Sequence, residues 1–134
     1  MSTVTNSGVA TAVAQQAYEA FGRRDVPAIL NLVADDVDWE FVGSSKLPYA
    51  GRRRDHAGVA EFFAAVAQAD DIQVFEPREF IEAGTHVTVL GWERSRAIDT
   101  GHAFETEWAH VFTVINGKIT RFRGFFNTAA RSGM

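Results

Sequence analysis

The chain contains no cysteine. That absence removes disulfides, thiolate metal ligands and cysteine nucleophiles together, and it suits a reducing compartment, so a cytoplasmic location is expected. Proline is scarce, with 3 in 134 residues, so few breakers interrupt the periodic segments. One of them, Pro77, falls inside a strand-like stretch and marks an edge strand or a bulge there. No apolar run approaches the roughly 20 residues that a membrane span needs. Residues 1–7 lack the charged and apolar regions of a signal peptide and read as a disordered tail. Neither sign of charge dominates. A net charge of -4 gives a nucleic acid little to bind, and the basic run Arg52-Arg53-Arg54 reads as a solvated loop. Repeats, low-complexity segments and linker compositions are missing too. Residues 1–134 therefore read as one domain, long enough to bury about two thirds of its unfolded surface.

What the chain has is aromatic side chains, 11 Phe, 3 Trp and 2 Tyr, enough to line a cavity, and clear periodicity. Val9, Val13, Ala17, Ala20 and Phe21 recur at helical spacing before Gly22. Asp25 is placed to cap a short second helix with Pro27 in its first turn. Residues 37–42 alternate as a strand with one buried face, and residues 43–51 read as a loop. Val59, Phe62, Phe63 and Val66 mark a third helix over about 55–69. Four strands follow from Ile72 onward, with turns at Gly84-Thr85, Thr100-Gly101 and Asn116-Gly117. Helices early and strands late indicate an α+β fold, a curved antiparallel sheet wrapped around three N-terminal helices.

If Thr100-Gly101 and Asn116-Gly117 are both two-residue hairpin turns, the registers follow by counting. The first sets Arg94 against Glu107, Arg96 against Glu105 and Trp92 against Ala109. The second sets Val111 against Phe122, Ala109 against Gly124 and Glu107 against Phe126. One face then carries Trp92, Arg94, Glu107, Phe122 and Phe126; the other carries Glu93, Trp108, His110, Phe112, Arg123 and Phe125. Both mix aromatics with charges. One face is therefore expected on the helices or a cavity, and the other against a second copy of the chain.

Three segments, YEAFGRRDVPAILNLVADDVDWEF, LPYAGRRRDHAGVAEFFAAV and FETEWAHVFTVINGKITRFRGFFNTAA, resemble the SnoaL-like branch of the nuclear-transport-factor-2-like superfamily over about Val9 to Ala130. The resemblance implies a cone-shaped fold enclosing an apolar pocket, with the convex sheet face often forming a dimer. Applied to the registers above, it puts Arg94 and Glu107 in the pocket and makes Trp108, His110, Phe112, Arg123 and Phe125 the dimer face. The superfamily's known chemistries are only partly supported. The base position of ketosteroid isomerases falls on Phe41, and their oxyanion donors fall on Ala17 and Ala109. Arg94 matches the arginine of limonene-type epoxide hydrolases, but Arg96, Gly124 and Asn127 replace the expected acids. Asn127 stands where related cyclases often carry an Asp, and an amide donates a hydrogen bond without acting as a base.

The catalytic candidates are therefore Glu107, as a base with its pKa raised by burial, and Arg94, positioning a carbonyl or carboxylate. The same pair also reads as a cross-strand ion pair that only fixes register. Tyr18, Trp39, Phe41, Tyr49, Phe63, Trp92, Phe122, Phe126 and Asn127 are the candidate ligand-binding set, each of the aromatics also readable as simple core. His56, His86, His102 and His110 lack metal-ligand spacing, so no metal and no cofactor is expected. The expected function is binding of a hydrophobic or aromatic small molecule, with cofactor-independent isomerisation or cyclisation of a ketone or polyketide-like substrate. The alternative is a non-catalytic binding or accessory protein. A water-sized or collapsed cavity would instead favour a purely structural interaction domain.

Overall fold

The computed structural model describes residues 8–133, so the tail expected at residues 1–7 lies outside the described residues. Its elements are α1 (Val9–Gly22), α2 (Val26–Leu30), β1 (Val33–Phe41), β2 (Gly51–Arg53), α3 (His56–Ala69), β3 (Asp70–Ala83), β4 (His86–Ala97), β5 (Ala103–Ile115), β6 (Lys118–Phe126) and α4 (Thr128–Ser132). The helices begin where their capping groups are. Asp25 accepts the Ala28 N–H, and Asp55 accepts the Gly58 N–H at 2.7 Å; each ties down a donor that the first helical turn leaves open. Helix α1 is capped from a distance, by Glu82 of β3, whose carboxylate accepts the N–H groups of Gly8 and Thr11 at 2.6 and 2.7 Å.

The strands form one curved, unclosed sheet in the order β2-β1-β6-β5-β4-β3. Every pairing is antiparallel except β1 with β6, which is parallel. β3 is an edge strand, and its register shifts between Pro77 and Glu79, as a residue without an N–H requires. The short strand β2 forms within and just beyond the stretch that reads as loop, and α4 was not visible in the periodicity.

Both hairpins form, but neither register is as counted. The first loop spans residues 98–102 and is closed by the Ala97 N–H on the His102 carbonyl and the Gly101 N–H on the Ala97 carbonyl. Trp92 therefore faces Glu107, and Arg94 faces Glu105. This is a slip of two residues, which keeps every side chain on its expected face. The second error matters more. Asn116 and Gly117 adopt the left-handed conformations of a tight turn, with φ of 53° and 77°, and Ile115 faces Lys118 as expected. The register then shifts between Thr113 and Val114, leaving Thr120 as an extra residue in β6. That bulge turns the rest of β6 over, so Phe122 faces Phe112, Gly124 faces His110 and Phe126 faces Trp108.

The helix-facing side of the sheet is therefore built from Glu93, Thr106, Trp108, His110, Phe112 and Phe122, all buried. Trp92, Arg94, Glu107, Ala109, Val111, Arg123 and Phe125 lie on the outer side, exposed or half-buried. On β4 and β5 the two faces are the reverse of the sequence expectation, whereas beyond the bulge of β6 Phe122, Arg123 and Phe125 lie on the sides expected for them. Energetics favours this choice: covering the outer side with helices would desolvate Arg94, Arg96, Glu105 and Glu107, at several kcal/mol per buried ion. The observed arrangement instead buries Trp108, Phe112 and Phe122, worth roughly 1.5–3 kcal/mol for each large apolar side chain.

Candidate functional site

Helices α1 and α3 stand off the sheet enough to leave an aromatic chamber between them. Its walls include Ala17, Tyr18 and Phe21 of α1, Trp39 and Phe41 of β1, Tyr49, Phe62 and Phe63, Phe75 of β3, Trp108, His110 and Phe112 of β5, and Phe122 of β6. The rings hold one another in place. Trp39 stacks on Phe122 with centroids 4.1 Å apart, Trp108 stacks on His110 at 4.1 Å, and Phe75 stacks on Trp108 at 4.7 Å. The chamber offers about 80 Å³ to the centre of a water molecule, well beyond the roughly 10–15 Å³ that one water occupies on that measure. It adjoins a vestibule of about 940 Å³ between α1, α3 and the first half of β3, with Tyr18, Phe63, Asp70 and Phe75 shared by both.

Four ionisable side chains besides Tyr49 and Tyr18 matter here, and two of them form one cluster with Tyr49. Asp70, at the junction of α3 and β3, accepts the Tyr49 hydroxyl at 2.6 Å through Oδ2. Its Oδ1 receives Nε and Nη2 of Arg131, each at 2.9 Å. Asp70 is buried and Arg131 half-buried in that ion pair, and α4 is fastened to the chamber by it. Glu93, from β4, also lines the chamber and accepts the Ser95 hydroxyl at 2.6 Å. Burial pushes the Glu93 carboxyl up to about 7; the Ser95 hydrogen bond opposes the shift and the nearby Asp70 charge adds to it. Burial, with the Asp70 charge and hydrogen bond, also drives the Tyr49 phenol upward.

A second polar pair lies elsewhere on the wall. The Tyr18 hydroxyl is 2.7 Å from Nδ1 of His110. Burial alone raises the Tyr18 phenol well above its ordinary value and lowers the His110 imidazole to about 3. The pair is neutral at ordinary pH. The resemblance had set Ala17 and Ala109 at donor positions, but it is the residue following each of them that meets its counterpart. The buried indole N–H groups of Trp39 and Trp108 have no partner among the described residues.

Of the ligand-binding set expected from sequence, Tyr18, Trp39, Phe41, Tyr49, Phe63 and Phe122 line the chamber. Trp92 does not; it lies on the outer face beneath the guanidinium groups of Arg78 and Arg94, at 5.1 and 5.5 Å. Phe126 packs edgewise on Phe41 at the chamber's back rather than lining it. Asn127 caps α4, its side chain accepting the N–H groups of Ala129 and Ala130. Glu107 and Arg94 are exposed on the outer face, and Arg94 reaches Glu105 at 3.4 Å instead. The expected catalytic pair therefore neither forms nor meets the chamber. Trp108, His110 and Phe112, expected at a dimer face, are buried in the chamber wall, whereas Arg123 and Phe125 do lie outside. Sequence reasoning missed Asp70 and Glu93. A signal for Glu93 was present: it alternates with Val87, Val89 and Gly91, an odd place for a charge. Asp70 looked like any acid at a helix end. Among the described residues, no group of three or more His, Asp or Glu is placed to hold a metal ion, and no helix is long and apolar enough to cross a membrane.

The family model of the SnoaL-like domain matches residues 14–122. The chain belongs to the SnoaL-like family. Among solved structures, an NTF2-like protein of Burkholderia xenovorans LB400 is similar at 30% identity and a TM-score of 0.84, over 93% of this chain and 94% of its own. An NTF2-like protein of unknown function from Burkholderia pseudomallei K96243 is 32% identical with a TM-score of 0.82, over 90% and 92% of the two chains. TerC, co-crystallised with polyporic acid, is 31% identical with a TM-score of 0.84, over 93% and 96%. No curated protein matches the chain. The SnoaL-like fold thus accounts for the topology, and a fold by itself does not assign a reaction.

Proposed function

We propose that this SnoaL-like protein binds a hydrophobic, aromatic small molecule in the chamber and catalyses proton transfer on it without a cofactor, as in isomerisation or cyclisation of a ketone or polyketide-like substrate. One observation carries the reading: Glu93 is a carboxyl in an aromatic enclosure, with a pKa of about 7. A base tuned near neutrality suits abstraction of a proton next to a carbonyl. Glu93 thereby takes the role that sequence alone gave to Glu107. The co-crystallisation of TerC with polyporic acid supports a small-molecule occupant.

The second reading is a binding or accessory protein that holds its ligand unchanged. It is favoured by the fact that both carboxyls already have partners within the protein, Asp70 in Tyr49 and Arg131, and Glu93 in Ser95. Arene-fused cyclic ketones such as 2-tetralone separate the two. Fluorescence of Trp39 and Trp108, both in the chamber wall, reports binding, and NMR follows deuterium exchange at the activated carbon. The enzyme reading expects exchange above the buffer rate, abolished in Glu93→Gln with binding kept. Binding with exchange at the buffer rate in the unsubstituted protein selects the accessory reading.

The proposal includes a homodimer, now through the outer sheet face. Leu90, Trp92, Ala109, Val111 and Phe125 place apolar surface there among arginines, a composition typical of interface centres.

A further inference from the structure

Tyr18 and His110 come to the chamber from opposite walls, α1 and the middle of β5, and their hydrogen bond of 2.7 Å joins the two. His110 stacks on Trp108 and meets Phe122 edgewise at 5.0 Å, while Tyr18 is wedged among Phe75, Phe80 and Phe112. Neither ring makes another side-chain hydrogen bond among the described residues, so Nε2 of His110 has no side-chain partner. No charged group contributes to the shift of either.

A bond between a phenol and a neutral imidazole has two forms. In one, the Tyr18 O–H donates to Nδ1, the imidazole proton sits on Nε2, and the phenol oxygen keeps a free lone pair. In the other, the Nδ1–H donates to the phenol oxygen, the Tyr18 O–H is released as a donor, and Nε2 becomes an acceptor. Each form presents one donor and one acceptor, and passing between them exchanges the two. A carboxylate, an ammonium or a lone hydroxyl in the same place could not do this without a change of charge.

We propose that Tyr18 and His110 form a neutral, switchable hydrogen-bond pair that recognises a ligand bearing a carbonyl and a hydroxyl on one edge, and that follows the ligand as those groups exchange roles. This rests on the chamber being the ligand site and adds the class of ligand it takes, a cyclic ligand whose carbonyl and hydroxyl are joined through conjugated double bonds, such as a tropolone or the enol form of a 1,3-diketone. The exchange is balanced. The ligand O–H gives its proton to Nε2, Nδ1 gives its proton to the Tyr18 oxygen, and the Tyr18 O–H gives its proton to the ligand carbonyl. Three bonds to hydrogen break and three form, the double bonds of the ligand shift by one position, and no charge or co-reactant is required.

Tropolone, which carries adjacent carbonyl and hydroxyl groups, tests this against tropone, which has the carbonyl alone, and toluene, which has neither. Binding is read by tryptophan fluorescence below the pKa of tropolone, where it is neutral. The unsubstituted protein should prefer tropolone to tropone by about tenfold, the worth of one retained hydrogen bond. Tyr18→Phe should erase that preference and leave toluene binding unchanged. His110→Gln, whose amide holds its donor and acceptor fixed, should reduce it as well. Nitrogen-15 NMR of His110 should show one protonated and one bare nitrogen, with and without tropolone. Equal affinity for tropolone and tropone, a preference that survives in both variants, or a doubly protonated imidazole in the complex would overturn the pair while leaving the chamber intact. Failure of all three probes to bind would overturn the chamber reading and the pair with it.

Discussion

At the residue scale, Glu93 and His110 occupy the same buried face of neighbouring strands, and burial moves them in opposite directions. Glu93 titrates at about 7 in the fold and at about 4.3 unfolded. Its contribution to stability is therefore complete below about 4.3 and is lost as pH rises to 7. His110 titrates at about 3 in the fold and at about 6.5 unfolded. Its contribution is complete above about 6.5 and is lost as pH falls toward 3. Between roughly 4.5 and 6.5 one slope offsets the other, so urea midpoints for these two groups should be flat there and fall on both sides. Glu93→Gln should remove the alkaline fall and raise stability above neutrality, by an amount on the order of 3 kcal/mol. A variant as unstable as the parent at pH 8 would show that Glu93 pays no such cost of ionisation. Sequence spacing found most of the aromatic set, but it gave His110 to a dimer face and the base to Glu107, because Glu93 and Glu107 differ only in which side of one sheet they occupy.

That side is decided at the scale of elements. Helices and caps were legible: Asp25, Pro27 and the apolar stripe of α3 act locally, and local signals survive folding. The strands were half legible. Asn116-Gly117 fixed its turn, and Pro77 announced its irregular edge. The bulge at Thr120 carries no composition cue, since Ile119-Thr120-Arg121 alternates like any strand, and this residue reversed everything beyond it. Deleting Thr120 should remove the extra residue and let β6 pair with β5 without a bulge, keeping Phe122, Gly124 and Phe126 inward; circular dichroism is expected to show that cooperative unfolding is retained, and its loss would show that the bulge itself is required. Gly91 makes a second element-level demand. A Cβ there would stand 2.2 Å from the Trp108 ring, which Phe75 backs and cannot release. Gly91→Ala should cost about 1–3 kcal/mol, read as a lowered urea midpoint with altered tryptophan emission.

For the whole molecule, the α+β order and the helices covering the sheet followed from the grouping of helices before strands, whereas which face they cover did not. The proposed dimer inherits that reversal. Sedimentation at micromolar concentration should give a dimer, and Trp92→Glu should convert it to a folded monomer; an unchanged sedimentation coefficient in that variant would remove the outer face as the contact. Trp108→Glu, by contrast, should prevent folding, because it places a charge in the chamber wall. The clasp between Arg131 and Asp70 has a practical side. A cleavage after Asn127 or a fusion that unwinds α4 would withdraw the counter-charge from a carboxylate beside the candidate base, so trimming the last helix changes the charge next to Glu93. Tags placed at opposite ends of this chain should not be treated as equivalent in an activity screen.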